Sequence, residues 1–83
     1  MANLFTGALL FTGYKTVAEL TNITFTKGNK YIIQIQNPCY VREGTEGDGF
    51  LVTDPNPFEY TAGDDDLYLG TPLRRQIIVN IAE

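Results

Sequence analysis

The chain has 83 residues, of which 43% are hydrophobic and 19% charged, so it has the length and composition of one globular domain. It has no histidine and a single cysteine, Cys39, which excludes an intrachain disulfide and argues against a histidine-based catalytic site or a zinc site. The net charge is −4, and eight acidic residues lie with one basic residue between Arg42 and Asp66, which argues against a nucleic-acid partner.

A domain of this size encloses a marginal hydrophobic core, and such domains are usually completed by disulfides, metals or partner subunits. Because the first two are not supported, we expect the chain to associate with other copies or to dock onto a larger surface. No stretch is long and apolar enough for a membrane helix, and no basic residue precedes the apolar N-terminal run. We therefore expect cytoplasmic synthesis without processing, and no contact with a membrane.

The first thirteen residues are apolar and include Leu4, Phe5, Leu9, Leu10 and Phe11. These side chains are unfavourable in water together, so we predict that they are covered. Residues 1–13 then form either the first strand of the core or an arm that reaches onto a neighbouring subunit, and residues 14–83 form a single β-sandwich domain. On the second alternative all five side chains are interface residues.

The next segment, residues 16–20, is compatible with one helical turn or with an edge strand. Thr16 and Glu19 have the spacing of a capping box for the helical turn, but this spacing does not decide between the two alternatives. Beyond it the apolar residues recur with a period of two, which is typical of strands. Residues 22–26 and 31–36 flank Lys27-Gly28-Asn29-Lys30, and this pattern predicts a β-hairpin.

Further strands are predicted between turn residues at 39–43, 50–53, 58–61, 67–69 and 76–81. In the last of them Ile77, Val79 and Ile81 share one face, with Ile78 on the other. The segment 44–49 is predicted to be a flexible, exposed loop, and residues 70–72 are predicted to separate the strand at 67–69 from the final strand. Short strands separated by regular turns predict an all-β fold, a small antiparallel β-sandwich or barrel of about six to eight short strands.

Two features suggest chemistry but have a simpler structural interpretation. The carboxylates of residues 64–66 are oxygen ligands of the kind that Ca²⁺ prefers, but consecutive side chains diverge in an extended backbone, so we interpret this cluster as a solvated turn. Cys39 has only Arg42 nearby as a positive charge, so we interpret it as a small buried hydrophobic residue. We predict no enzymatic activity and no cofactor.

The remaining candidate residues are aromatic or basic. Tyr14, Tyr40 and Tyr68 are candidate interface anchors, with core packing as the alternative for each. Arg74 and Arg75 precede the final strand and are candidates for pairing with acidic residues of a neighbouring chain. The uneven distribution of charge also permits contact between the acidic part of one copy and the mildly basic part of another.

Four short patterns carry a resemblance to a known group of proteins. They are Gly28-Asn29-Lys30-Tyr31-Ile32-Ile33-Gln34, Phe58-Glu59-Tyr60-Thr61-Ala62-Gly63, Asp65-Asp66-Leu67-Tyr68 and the apolar final strand. With them, residues 16–83 resemble the small β-sandwich proteins encoded among bacteriophage structural genes. Those proteins decorate or cement capsids, or are located on fibres and tails.

The resemblance implies a non-enzymatic virion protein, often oligomeric and without a cofactor. The function expected first is a capsid decoration or cement protein that binds the head surface as a homo-oligomer, with a trimer expected. Its partners would be other copies of the chain and a major capsid protein or another virion protein. The alternatives are a receptor- or carbohydrate-binding module on a tail or fibre, for which the loop at 44–49 would serve, and a small phage protein that binds a host target.

Overall fold

The computed structural model describes residues 2–45 and 49–83, with the backbone alone at residues 72 and 73. The described residues form six strands and one short helix, which are β1 (Asn3–Thr16), α1 (Val17–Thr21), β2 (Lys30–Gln36), β3 (Cys39–Glu43), β4 (Phe50–Val52), β5 (Phe58–Thr61) and β6 (Leu67–Ala82). All strand pairs are antiparallel and belong to one curled sheet, a half-barrel. The expected all-β fold is confirmed.

The last strand, β6, lies at the centre of the sheet. Strand β1 pairs with it along one side, from Asn3 opposite Ala82 to Thr16 opposite Tyr68. On its other side β6 pairs first with β3 and then with β2, so that β3 and β2 follow one another along the same long strand. On that side the outermost strands are β5, next to β2, and β4, next to β3, while β1 is outermost on the other side.

The sheet bends where β1 and β6 change register. Phe11 lies opposite Arg75 but Gly13 lies opposite Thr71, so that residues 72–74 of β6 face a single residue of β1. The hydroxyl of Thr71 donates a buried hydrogen bond of 2.6 Å to the carbonyl oxygen of Phe11. The predicted interruption at residues 70–72 is therefore wrong, because a β-bulge accommodates the extra residues and pairing continues on both sides of it.

At the same level of the sheet, β2 ends and β3 begins. Asn37 has a φ of 76° in the left-handed region, which an asparagine adopts more readily than most residues. Its side-chain amide donates a hydrogen bond of 2.9 Å to the carbonyl oxygen of Gln76 on β6. The short turn thereby remains attached to β6, and the half-barrel has two wings, one with β2 and β5 and one with β3 and β4.

The predicted β-hairpin around residues 27–30 is wrong. Ile23 and Phe25 pack against the core from an irregular segment, and the Phe25 ring lies 4.4 Å from the ring of Tyr31. The backbone N–H of Thr26 donates a hydrogen bond of 2.7 Å to the hydroxyl of Tyr31. Strand β2 pairs instead with β5 on one side and β6 on the other, both distant in the sequence. The prediction failed because an alternating pattern specifies the buried face of a strand but not its partner.

The helical alternative for the segment after β1 is confirmed. Thr16 is the N-cap of α1, and its side-chain oxygen accepts a hydrogen bond of 3.1 Å from the backbone N–H of Glu19. The helix ends at Asn22, whose left-handed backbone is typical of a helix C-terminus. Among the described residues no helix is long and apolar enough to cross a membrane.

The core lies on the concave face of the sheet. Along β2, and in β6 from Ile77 to Ala82, the odd-numbered side chains are buried and the even-numbered ones are more exposed, as the pleat of a strand requires. The buried hydrophobic cluster consists of Phe11, Val17, Ile33, Ile35, Cys39, Leu67, Leu69, Ile77, Val79 and Ile81. The predicted inward face of the final strand, with Ile78 on the other side, agrees with this arrangement.

Candidate interaction surfaces

The five apolar residues of the N-terminal segment do not lie on one surface. In the single chain this segment is part of β1, and alternate residues of β1 face opposite sides of the sheet. Phe11 is buried, and Phe5 and Leu9 are half-buried against the core. Leu4 and Leu10 face outward, and they are 39% and 55% exposed.

The outer side of β1 is an unprotected sheet edge. Among residues 2–45 and 49–83, β1 pairs with β6 on one side and with no strand on the other. The sequence from Asn3 to Tyr14 contains no charged residue or proline, two features that usually discourage edge pairing. The register irregularities of β1 lie outside the stretch from Phe5 to Phe11. We call the unpaired side of residues 3–14 the β1 edge.

The opposite edge of the sheet is built differently. It consists of β4 and β5, which are three and four residues long, and the segment between them contains Asp54, Pro55 and Pro57. The exposed Glu59 adds a charge within β5 itself. Short strands, prolines and charges all oppose pairing with another chain, so of the edges formed by the described residues the β1 edge is the one with the properties of a pairing surface.

The convex face beside the β1 edge carries an apolar strip. It includes Leu4, Ala8 and Leu10 of β1, together with Ile78 of β6, which lies opposite Ala8 and is 37% exposed. Beyond Ile78, towards β2, the convex face is polar: Gln36 lies opposite Ile78, and the side-chain amide of Asn80 donates a hydrogen bond of 2.8 Å to the side-chain oxygen of Gln34. The strip is therefore confined to the side of the sheet that ends at the β1 edge.

The other wing carries a cluster of tyrosines around an arginine. The guanidinium carbon of Arg42 lies 3.9 Å from the ring centroid of Tyr14 and 5.1 Å from that of Tyr68. These distances are within the range of cation–π attraction. Arg42 thus brings together two of the predicted tyrosines, although it was not among the predicted interface residues. The sequence could not indicate this role, because it depends on the register between β3 and β6, which places Arg42 opposite Tyr68.

Gly70 lies at the centre of this cluster. Tyr14 and Tyr40 are its neighbours on the two flanking strands, β1 and β3. A Cβ atom at Gly70 would lie 2.5 Å from Cε2 of Tyr14, so the ring covers the space that a larger residue would fill. The half-buried residues Tyr14, Tyr40, Arg42 and Tyr68 form a surface that we call the tyrosine face.

No protein-family model, curated protein or solved structure matches the chain. The case for function therefore depends on the geometry of its surfaces and on the sequence patterns given above.

A groove lies between β5 and the wing that contains β3 and β4. It has a volume of about 430 Å³ and is lined by Val41, Arg42, Glu43, Gly49, Phe50, Tyr60 and Leu67. Phe50 is 83% exposed and the adjacent Leu51 is 52% exposed. Burial, and to a smaller extent the negative charge of Glu43, raise the pKa of Tyr60, so its hydroxyl remains a hydrogen-bond donor at neutral pH.

The exposure of Phe50 and Leu51 was not anticipated from the sequence. Both residues were assigned to a strand, and the alternation of apolar and polar residues that would have marked one of them as outward-facing is absent there. The loop that precedes them was predicted to be exposed, but its residues 46–48 lie outside the part of the chain that the structure describes.

The remaining predicted residues lie on the surface or in the core. Arg74 and Arg75 are exposed at the bend of β6. Asp64 is exposed and forms a salt bridge with Lys27, and within the described residues no three acidic, histidine or cysteine side chains are placed to hold a metal ion together. Cys39 is buried, and burial raises the pKa of its thiol to about 11, so it is a core residue as predicted.

Proposed function

We propose that the chain is a structural protein of a bacteriophage particle, a capsid decoration or cement protein that binds the head surface as a homo-oligomer. In this proposal it performs no catalysis and needs no cofactor. Its partners are other copies of the chain and a major capsid protein or another virion protein.

The observation that carries the proposal is the contrast between the two edges of the sheet. A soluble monomer with a sheet of this kind normally protects both edges, because an exposed row of backbone N–H and C=O groups pairs with other chains. Here the edge formed by β4 and β5 has prolines and charges, whereas the β1 edge has neither. Such an asymmetry is expected of a subunit that is completed by assembly.

The apolar strip beside the β1 edge gives the proposal a second support. Leu10, Leu4 and Ile78 expose their side chains on the same side of the sheet, next to backbone groups that are available for pairing. Covering apolar surface contributes about 25 cal/mol for each Å² removed from water. An assembly that covered the strip would therefore add stability that an 83-residue domain largely lacks on its own.

The kind of assembly is proposed from the sequence patterns. The resemblance of residues 16–83 to small phage structural proteins indicates a virion, and a protein that cements or decorates a capsid needs surfaces for association and not a catalytic cleft. The tyrosine face supplies a second surface, which shares only Tyr14 with the β1 edge and is suited to contact with the head. Tyrosine and arginine are the residue types that contribute most often to the energy of such interfaces.

Quantitative mass spectrometry of purified phage particles tests this proposal. We expect the chain to co-purify with the particles at a stoichiometry comparable to that of the major capsid protein. Its absence from particles purified from lysates that contain it, or a copy number as low as that of a tail-tip protein, would overturn the assignment to the head surface.

The groove around Phe50 favours one alternative, a receptor- or carbohydrate-binding module on a tail or fibre. An aromatic ring that is 83% exposed at the rim of a groove is well placed to stack on a sugar or on an apolar side chain. The variant Phe50→Ala should then abolish binding to host cells, whereas Leu10→Lys, on the other side of the sheet, should leave it unchanged. If neither the native chain nor the variants bind host cells, this alternative is wrong.

A further inference from the structure

The β1 edge has an electrostatic property that bears on which partner it fits. Most acidic residues of the chain lie between Arg42 and Asp66, and the strands of that segment, β3 to β5, are on the far side of β6 from β1. A second copy that approaches through its own β1 edge therefore meets a neutral strand, although each copy has a net charge of −4. An approach through β3 to β5 of both copies would instead bring two acidic surfaces together.

The backbone of β1 is suited to the same approach. In an antiparallel sheet the N–H and C=O groups of successive residues point alternately to the two neighbouring strands. Half of these groups in β1 are used by β6, and the other half point outward along the β1 edge. Between Phe5 and Phe11 the register with β6 is regular, so the edge is extended over this stretch.

We infer that two copies of the chain pair through their β1 edges, antiparallel and about a two-fold axis at Gly7, to form one continuous sheet. In this register Leu4 of one copy lies opposite Leu10 of the other on the convex face, and Phe5 lies opposite Leu9 on the concave face. The two exposed large hydrophobic residues of β1 are thereby covered by each other. Such an interface is isologous, since the same strand of both copies contributes to it.

Gly7 is compatible with a position at the two-fold axis. The ring of its own Phe5 covers the inward side of Gly7, with Cζ 3.1 Å from the place that a Cβ would occupy. At the axis two glycines then face one another, so the backbones meet without competing side chains. On the convex side the neighbouring pair is Thr6 with Ala8, and both side chains are small.

The same register gives the exposed arginines a partner of opposite charge. Glu83 lies next to Ala2 through two backbone hydrogen bonds, and Arg75 lies next to Phe11. In the proposed register Ala2 of one copy is opposite residue 12 of the other. Glu83 of the first copy and the Arg74–Arg75 pair of the second therefore lie at nearly the same position along the strand direction. Their backbones are three strand spacings apart, roughly 14 Å, so the attraction is weak and orients the copies more than it binds them.

The dimer specifies the surface through which copies of the chain form the homo-oligomer of the proposed function, and in that respect it rests on the proposed function. It differs from the trimer that the resemblance implied, because a strand edge that pairs with itself is satisfied by one partner. The tyrosine face and the groove remain on the wing away from the axis, where they are available to other virion proteins.

Sedimentation velocity of the purified chain tests the inference through a matched pair of variants. The native chain should sediment as a dimer whose fraction increases with concentration. Leu10→Lys places a charge opposite Leu4 of the other copy and should shift the chain to the monomer. Gln76→Lys places the same charge on β6, directly opposite Leu10 and one strand away from the edge, and should leave the dimer intact.

Circular dichroism of each variant establishes that it is folded. If Leu10→Lys is unfolded, Ala8→Lys takes its place, because Ala8 is an exposed residue of the same edge. A native chain that sediments as a monomer at every concentration, or as a trimer, overturns the inference. So does loss of the dimer in Gln76→Lys to the same extent as in Leu10→Lys.

Disulfide trapping tests the register itself. A mixture of Thr6→Cys and Ala8→Cys chains should form a mixed disulfide faster than either variant links to itself, because the two positions lie opposite each other across the axis. Cys39 is 1% exposed and does not compete. Equal rates for all three combinations would contradict the proposed register.

The result is independent of the particle measurement. A dimer that is absent from particles would overturn the proposed function and leave the inference standing. A chain that is abundant in particles but paired through another surface would overturn the inference and leave the proposed function standing.

Discussion

The substitution Gly70→Ala tests how the tyrosine face is held together. The Cβ of alanine would lie 2.5, 2.7 and 2.8 Å from three ring atoms of Tyr14, closer than carbon atoms approach one another without displacement. The φ of Gly70 lies outside the left-handed region, so alanine can adopt its backbone conformation. The cost therefore arises from the ring, which must move away from Gly70 and from the Arg42 guanidinium that it covers at 3.9 Å.

Three contributions determine the size of the effect. Inserting a methyl group into a packed site costs about 1–3 kcal/mol. Displacing the Tyr14 ring from Arg42 costs about 0.5–2 kcal/mol more, depending on how far the pair is desolvated. Replacing glycine by alanine returns about 0.4–1 kcal/mol through the lower entropy of the unfolded chain. We expect a net loss of about 2 kcal/mol in the free energy of unfolding.

Urea denaturation followed by tyrosine fluorescence and circular dichroism measures this loss, since the chain has five tyrosines and no tryptophan. Gly63→Ala is the matched control, because the nearest atom to a Cβ there is a side-chain oxygen of Glu43 at an ordinary 3.5 Å. In a Tyr14→Ala background the cost of Gly70→Ala should almost disappear. An unchanged cost in that background, or a Gly70→Ala chain as stable as the native one, would refute the reasoning.

Three further predictions concern stability. Arg42→Lys keeps the charge but loses the planar group that stacks on Tyr14, and urea denaturation should show a loss of about 0.5–1 kcal/mol that becomes smaller when Tyr14 is alanine. Thr16→Ala removes the cap of α1 and should cost about 1 kcal/mol, whereas Thr16→Ser keeps the hydroxyl that accepts from Glu19 and should cost clearly less; equal losses would contradict a capping role. Burial raises the pKa of the Cys39 thiol from 9.0 to about 11, so the unfolded chain loses this proton first and stability decreases as pH rises above 9.0. Denaturation between pH 9.0 and pH 10.0 should show this decrease in the native chain, together with a smaller one from Tyr60, whose pKa burial also raises from 10.0. Cys39→Ala should lose most of the decrease, and an equally large decrease in that variant would contradict its origin in the thiol.

The parts of the fold that local patterns specify were predicted well. The bounds predicted for β3 and β5 agree with the structure, because proline, glycine and aspartate residues delimit both strands. The spacing of Thr16 and Glu19 indicated a capped helical turn as one of two alternatives, and the structure has that cap. These features depend on interactions between residues close together in the chain, and such interactions are visible in a sequence.

The parts that were not predicted depend on pairing between distant residues. Nothing in the alternation of residues 31–36 indicates that β5 and β6, and not residues 22–26, are their neighbours. The continuity of β6 through residues 71–75 likewise depends on β1, which holds the bend through the hydrogen bond between Thr71 and Phe11. The contact of Arg42 with Tyr14 joins β3 to β1 across β6, so no local pattern could have selected Arg42 as a surface residue.

The central position of β6 has a consequence for how the chain acquires its fold. Strand β2 can pair with β5 before β6 is made, but β6 is the only partner of β1 among the described strands. Strand β1 therefore gains no neighbour in the sheet until the last described strand has been synthesised. The domain therefore cannot fold progressively on the ribosome from its first strand onward. Native contacts that span most of the sequence slow folding, so we expect refolding in milliseconds to seconds and in a single cooperative step. Until β6 arrives, the apolar β1 is exposed in the nascent chain, which makes this period the one most susceptible to aggregation.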